Sequence, residues 1–359
     1  MNKKERFMTA LKGGKPDRVP VFDFLEGKRI FKEILGKNSG EIDGKDVAEC
    51  SVRLGFDAAF IAYGGFFNAK NIKTGDIYKD EWGVTFKNTG VSWPFDAPYD
   101  FPVKNKKDLK EWLQNIPDPN IPGRLDDIRS AINFAGSEIA IVGGVIGPIT
   151  TAILVLGFEG ALLNLMDDPA MVEEVFEASC NFYNIAAIKM IEAGVDAVFV
   201  CEDLGFKTGL FTSPDIMRKH LFPYLFRQFD EIKKRKIPIM FHADGNINEV
   251  VDDLAKAGIS ALHPLERKSG MDIAKVRTKY GNSLCLVGNI DASDTLIYGS
   301  EDEIAIEVKE TIESAGKNGA FILASDSDYH DGIPPQNFIA MIKAAKKYGE
   351  YPLSHGYKL

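Results

Sequence analysis

Eight short apolar runs, most of them released into a stretch of helical spacing, constrain this chain more than any other feature of its 359 residues. They fall at 19–24, 56–65, 139–148, 195–205, 237–241, 259–264, 284–291 and 319–328. Runs that are continuously apolar rather than alternating read as strands buried on both faces of a parallel sheet. The stretches between them carry helix start signals such as Asp168-Pro169 and Ser213-Pro214. Eight strands alternating with helices predict an α/β fold, a (β/α)₈ TIM barrel, with a doubly wound open sheet as runner-up. No G-x-G-x-x-G follows a strand, so the main sign of a dinucleotide-binding sheet is missing.

One region breaks the rhythm. Residues 69–102 contain short alternating pieces around a glycine, IYKDEWGVTFKN among them, which predict a small β-hairpin insertion after the second strand, over the barrel mouth. The Pro-rich segments at 93–102 and 117–122 are connectors without a shift of composition, so 1–359 reads as a single domain. A net charge of −9 with no dense basic run argues against nucleic acid or an anionic membrane as partner. No apolar run approaches the roughly 20 residues of a membrane span. The start, MNKKERFMTALKGG, lacks a signal-peptide core, and a cytoplasmic protein is expected. Cys50, Cys180, Cys201 and Cys285 are scattered with no CxxC pair, which favours reduced thiols over a cysteine zinc site.

In a barrel, chemistry gathers at the carboxyl ends of the strands. Those ends carry Asp23, Tyr63, Glu202-Asp203, His242, Asp244, His263, Glu266, Asn289, Asp291, Asp326 and Ser327, an acidic ring with two histidines and almost no Lys or Arg. Crowded carboxylates repel unless a cation or protons are shared among them, and a divalent metal is the economical remedy. In KIPIMFHADGN, His242 and Asp244 stand two apart, on one side of an extended chain. The expected ligands are therefore His242, Asp244, Glu202 and Asp326, around a Zn²⁺ ion with an open position. Helix N-capping is the plain alternative for Asp203, Asp244 and Asp291, and is preferred for Asp291. Glu202, His242 and Tyr63 are the expected catalytic groups, with Tyr63, Phe66, Phe67, Trp93, Phe206 and His330 around the substrate.

PDRVPV, CEDLGFKTGLFTSPDIMRKHLFPYL, FHADGNINEVVDDLAKAGISALHPLE, LVGNID and GIPPQNF together resemble the uroporphyrinogen decarboxylase superfamily, over a span from about Pro16 to the C-terminus. The resemblance implies a (β/α)₈ barrel. It also implies one of two activities, porphyrinogen decarboxylation or zinc- and cobamide-dependent methyl transfer with a separate corrinoid protein. The decarboxylases grip their carboxylated tetrapyrrole with an arginine-rich segment after the first strand; here FDFLEGKRIF offers only Lys28 and Arg29. The thiol-methylating branch uses a His-x-Cys pair and a later Cys; these align with His242, Asp244 and about Ser327, so both thiolates are absent. A harder ligand set suits an oxygen. The expectation is therefore an O-demethylase type of methyltransferase, carrying a methyl group from a methoxylated aromatic to a corrinoid (cobalamin) protein. A decarboxylase of a porphyrinogen or smaller acid, using Arg267, Lys268 or Lys207, is the first alternative, and a non-catalytic binding protein the second. Asp328-Tyr329-His330-Asp331-Gly332 is close to a D-x-H-x-x-G cobalamin motif, but its glycine comes one residue early. The corrinoid is therefore expected on the partner. The resemblance makes a homodimer plausible.

Overall fold

Seven of the eight apolar runs form regular strands in the computed structural model, which describes residues 1–64, 75–88 and 97–353. In chain order the strands are β1 (Ala58–Ala62), β2 (Ile77–Lys79), β3 (Thr85–Lys87), β4 (Ala97–Asp100), β5 (Ala140–Ile146), β6 (Ala197–Cys201), β7 (Gly205–Phe206), β8 (Gly209–Leu210), β9 (Ile239–His242), β10 (Ala261–His263), β11 (Cys285–Ile290) and β12 (Phe321–Ser325). A seven-stranded sheet runs β1-β5-β6-β9-β10-β11-β12, with every neighbour parallel.

The first apolar run is the exception. Residues 19–25 make only isolated bridges, Val21 with Leu323 and Leu25 with Tyr329. The Phe22 N–H donates to Leu323 O, and the Asp57 N–H donates to Val21 O. Both edges of the sheet thus meet this one segment, and the sheet curls on itself around it. Proline at position 20 removes one ladder donor, which accounts for the irregular pairing.

Period-two alternation sorts each strand into two cores. Ala197, Phe199, Met240, Ala261, Val287, Ile322 and Ala324 point inside the curl, where Phe22 and Phe24 pack against Phe199. Val198, Val200, Phe241, Leu262, Leu286 and Leu323 point outward under the helices. The helices begin and end on recognisable signals. Pro169–Ala193 has proline in its first turn and Gly194 in the left-handed conformation after its last. Glu301–Ala315 opens on a capping box between Ser300 and Glu303. Lys106–Leu113, not anticipated from the apolar pattern, is capped by Asn105 and stacks Trp112 on Trp82.

At the amino ends of the strands a buried ion network ties the N-terminal helix Lys3–Leu11 to the sheet. The fully buried Asp57 accepts from Arg6 Nη1 (2.7 Å), Arg18 Nη2 (3.0 Å) and the Val21 N–H (2.8 Å). After β1 the expected hairpin is instead a three-stranded antiparallel sheet, β2-β3-β4, with Tyr78 stacked on Phe86 across it. Phe66, Phe67 and Trp93 lie outside the described residues. Among the described residues, no single helix is long and apolar enough to cross a membrane.

Candidate metal centre

His242 ends β9, and inward-facing positions of the strands on either side set what it meets. On β6 the inward residues are Ala197, Phe199 and Cys201, so the next inward position is Asp203. Its Oδ1 lies 3.6 Å from His242 Nε2. Two residues beyond His242, Asp244 brings its own Oδ1 to 3.9 Å from the same nitrogen. One ligand atom from each of Asp203, His242 and Asp244 falls within 4.8 Å of the others. Ligands about 2.0–2.2 Å from one zinc ion stand roughly 3–3.5 Å apart, so a small inward movement would seat an ion.

The Asp244 Oδ1 atom is buried and accepts no hydrogen bond. An orphaned, charged oxygen beside a second carboxylate is what a hard cation would satisfy. Burial, and then the Asp203 charge, raise the Asp244 carboxyl well above its ordinary range. Burial lowers the His242 imidazole, favouring the neutral ring a metal needs. The turn that presents this pair depends on Gly245, at φ +85°, where a Cβ would stand 2.3 Å from Gly205 O.

Two expected ligands are not at this centre. Glu202 follows the outward parity of Val198 and Val200 and turns to the N-terminus of the helix Pro148–Leu156. Its Oε1 accepts the Ile149 N–H at 2.7 Å and its Oε2 the Thr150 N–H at 2.9 Å. Both oxygens are spent on helix amides, and burial pushes the carboxyl up to about 8. Gly147 permits this approach, since a Cβ there would sit 2.4 Å from the Glu202 carboxyl. Asp326 likewise accepts the Ala292 N–H (2.8 Å) and the Arg267 N–H (3.3 Å), closing loops rather than facing His242; burial raises it to about 6. Asp291 accepts the N–H groups of Ser293 and Asp294, each at 2.8 Å, in a local turn.

The centre opens into a cavity of about 400 Å³. Phe24, Phe60, Phe86 and Tyr183 supply its aromatic walls, and Glu26, Asp203, Asp244 and Asp328 its charges. No Lys or Arg is among the described residues lining it. Burial and the nearby Asp328 and Asp23 hold Glu26 well above its ordinary range. Tyr63 reaches the same wall, but its hydroxyl donates to Pro119 O at 2.5 Å. Phe206 does not line this cavity; it is 47% exposed and packs with Phe158 and Phe211 in a separate cluster. His330 does not line it either, and its Nδ1 accepts the Gly332 N–H at 3.0 Å.

A model of the family described as uroporphyrinogen decarboxylase (URO-D) matches residues 96–348, well over half of the chain. The chain belongs to the URO-D family. Methylcobamide:CoM methyltransferase MtaA of Methanosarcina barkeri is 27% identical over 234 residues, 64% of this chain and 64% of that protein. The chain thus spans under two thirds of that relative's length. Methylcobamide:CoM methyltransferase MtbA of Methanosarcina mazei is 24% identical over 363 residues, 96% of this chain and 98% of the relative. A uroporphyrinogen decarboxylase of Geobacter metallireducens is 22% identical over 371 residues, 96% and 99% of the two chains. Among solved structures, a methyltransferase from Methanosarcina mazei superposes with a TM-score of 0.73 at 23% identity, covering 97% of this chain and 99% of that one. This is a likeness of fold. Within this URO-D chain, sequence reasoning put Asp203 in the acidic ring and among the helix caps without choosing it as a ligand, read Asp328 only as part of a cobalamin-like motif, and passed over Glu26. Strand parity, extended one step beyond β6, would have found Asp203.

Proposed function

We propose that this chain is a zinc-dependent methyltransferase that moves a methyl group from a small methylated compound to the cobalt of a corrinoid held by a separate protein. Its family and its likeness to MtaA and MtbA support methyl transfer. The observation that carries the reading is the convergence of His242, Asp203 and Asp244 on a cavity whose described walls hold no Lys or Arg. A polycarboxylate such as a porphyrinogen would meet Glu26, Asp203, Asp244 and Asp328 there with no compensating Lys or Arg among the described residues. Each close like-charge pair costs on the order of 1–4 kcal/mol in partly solvated surroundings, which disfavours decarboxylation. Arg267 and Lys268 are engaged elsewhere, with Thr311 at 2.8 Å and Asp291 at 3.0 Å.

His242 through Nε2, with Asp203 and Asp244, would hold the ion. Bound among nitrogen and oxygen donors, zinc supplies Lewis acidity toward a substrate oxygen. The chain's own residues bind and exclude water. Phe24, Phe60 and Tyr183 offer a planar ring apolar surface to pack on. Tyr63, with its hydroxyl committed to Pro119, acts as wall rather than proton donor. A methoxylated aromatic is the donor class that suits such walls beside an oxygen-seeking centre, and the reading takes 1–359 as one closed barrel acting in the cytoplasm. The test is zinc content of the purified protein, together with methyl transfer from a methoxylated aromatic to reduced cob(I)alamin. Replacing His242 with Ala is expected to remove both; retained metal and turnover would reject the centre.

A further inference from the structure

Behind His242 stands a second imidazole that neither the ligand set nor the cavity wall uses. His242 and His263 are register partners on the parallel strands β9 and β10, and both are inward positions. Neighbouring strands lie about 4.8 Å apart, so two side chains at one level on one face must meet. They meet through Nδ1 of each ring, at 2.8 Å. A contact that short between two ring nitrogens needs one proton between them, so one ring donates and the other accepts. His263 is fully buried, lies 5.1 Å from the Phe24 ring and edge-on to Phe199 at 5.5 Å, and its Nε2 has no hydrogen-bond partner.

Two arrangements satisfy the contact. If His263 donates, His242 must carry its single ring proton on Nε2, pointing at Asp203 and Asp244, and cannot ligate through that atom. If His242 donates from Nδ1, its Nε2 presents a bare lone pair to the two carboxylates, the form a shared cation requires. His263 then carries its proton on the buried Nε2. We propose that His263 is a positioning residue, whose Nδ1 accepts the Nδ1–H of His242 and fixes the metal-binding tautomer of that ring. A ligating histidine more often gives its second N–H to a carboxylate or a carbonyl. Here a neutral ring takes that place, so no further negative charge is added where Asp203, Asp244 and Asp328 already crowd.

The inference rests on the metal centre proposed above, and its test separates the two. Zinc affinity is measured by competition with a chromophoric chelator for the wild type, His263→Phe and His263→Asn. The Asn carboxamide oxygen stands near the position of the ring Nδ1 and can accept the same proton. Loss of the acceptor in His263→Phe is expected to weaken zinc binding about 10–100-fold, with His263→Asn recovering most of it. Nitrogen-15 NMR of the imidazoles in zinc-loaded wild type is expected to show His242 protonated on Nδ1 and His263 on Nε2. This readout needs no variant to fold. Equal affinity in wild type and a folded His263→Phe, or a proton on His263 Nδ1 in the loaded protein, overturns the positioning role while leaving the centre standing. A wild type that binds no zinc removes the centre and this inference with it.

Discussion

The two ends of the curled sheet treat buried charge in opposite ways. At the amino ends, Asp57 is met by Arg6 and Arg18, and Arg6 bonds Asp17 as well, at 2.6 and 2.9 Å. The Arg6 guanidinium holds the Asp17 carboxyl well below its ordinary range. At the carboxyl ends, Asp23 and Glu202 receive only N–H and O–H donors, and burial pushes each up to about 8. Asp203, Asp244, Glu26 and Asp328 share one cavity without any lining Lys or Arg among the described residues. One end is built so that its charges cancel within the chain. The other leaves acidic groups without a basic partner among the described residues, and beside an imidazole such a cluster is what the proposed cation would satisfy.

The paired end should be the more sensitive to a single deletion. Replacing Arg6 with Ala takes a guanidinium from two carboxylates, one of them fully buried, and breaking a buried pair in this way costs about 3–5 kcal/mol. Urea unfolding measures it. A loss under about 1 kcal/mol would mean that Arg18 alone neutralises Asp57, and that the two ends differ less than their geometry says.

At the open end the same physics appears as pH dependence. Glu202 ionises near 8 in the fold against 4.5 for a free side chain. A carboxyl whose folded value is raised binds its proton more tightly in the native state, so its contribution is complete below about pH 4.5 and is lost as pH rises through about 8. Chelator-treated protein should therefore lose stability between pH 5 and 8. In Glu202→Gln the slope should be shallower by about 1.4 kcal/mol per pH unit. The amide cannot accept both helix N–H groups as the carboxylate does, so absolute stability falls as well and only the slope decides. Parallel profiles for the two proteins would remove Glu202 from the titration.

How far the sequence disclosed this asymmetry depends on which rule each part obeys. The seven regular strands announced themselves because a buried parallel strand has to be apolar throughout, and IAIVGGVI or LCLVGNI permits few other readings. Residues 19–25 are equally apolar, yet Pro20 reduces their pairing to bridges, a consequence of backbone donors rather than of hydrophobicity. At the candidate site, the meeting of His242 and Asp244 on one side of the chain was legible from spacing alone. The choice between Glu202 and Asp203 was not, because two adjacent carboxylates at a strand end look alike until the inward parity of that strand is known. The His242–His263 contact depends on the register between two strands, which no local pattern records.

Tyr63 tests whether the cavity wall takes part in chemistry. Tyr63→Phe removes a hydroxyl bonded to Pro119 O and should cost about 0.5–1.5 kcal/mol of stability. Turnover of the metal-loaded protein is expected to stay within about threefold of wild type. A fall of about 100-fold or more, the scale of a lost general acid or base, would return Tyr63 to the reacting groups.

The smallest expected change in stability is also the one that separates binding from folding most cleanly. Asp244→Asn keeps the shape of the side chain and removes one of two adjacent negative charges. In metal-free protein the amide removes the cost that burial and the Asp203 charge place on an ionisable group here, but the Asp244 side chain is 40% exposed, so water screens the effect and the gain is held to about 0.5–1 kcal/mol. Zinc retention, by contrast, should drop steeply, since a neutral amide is a far poorer ligand than a carboxylate. A variant that is slightly more stable and no longer holds metal is what a site kept at the expense of the fold produces. If Asp244→Asn instead unfolds more readily, the carboxylate stabilises the chain through some other group, and the contrast between the two ends of the sheet loses its functional meaning.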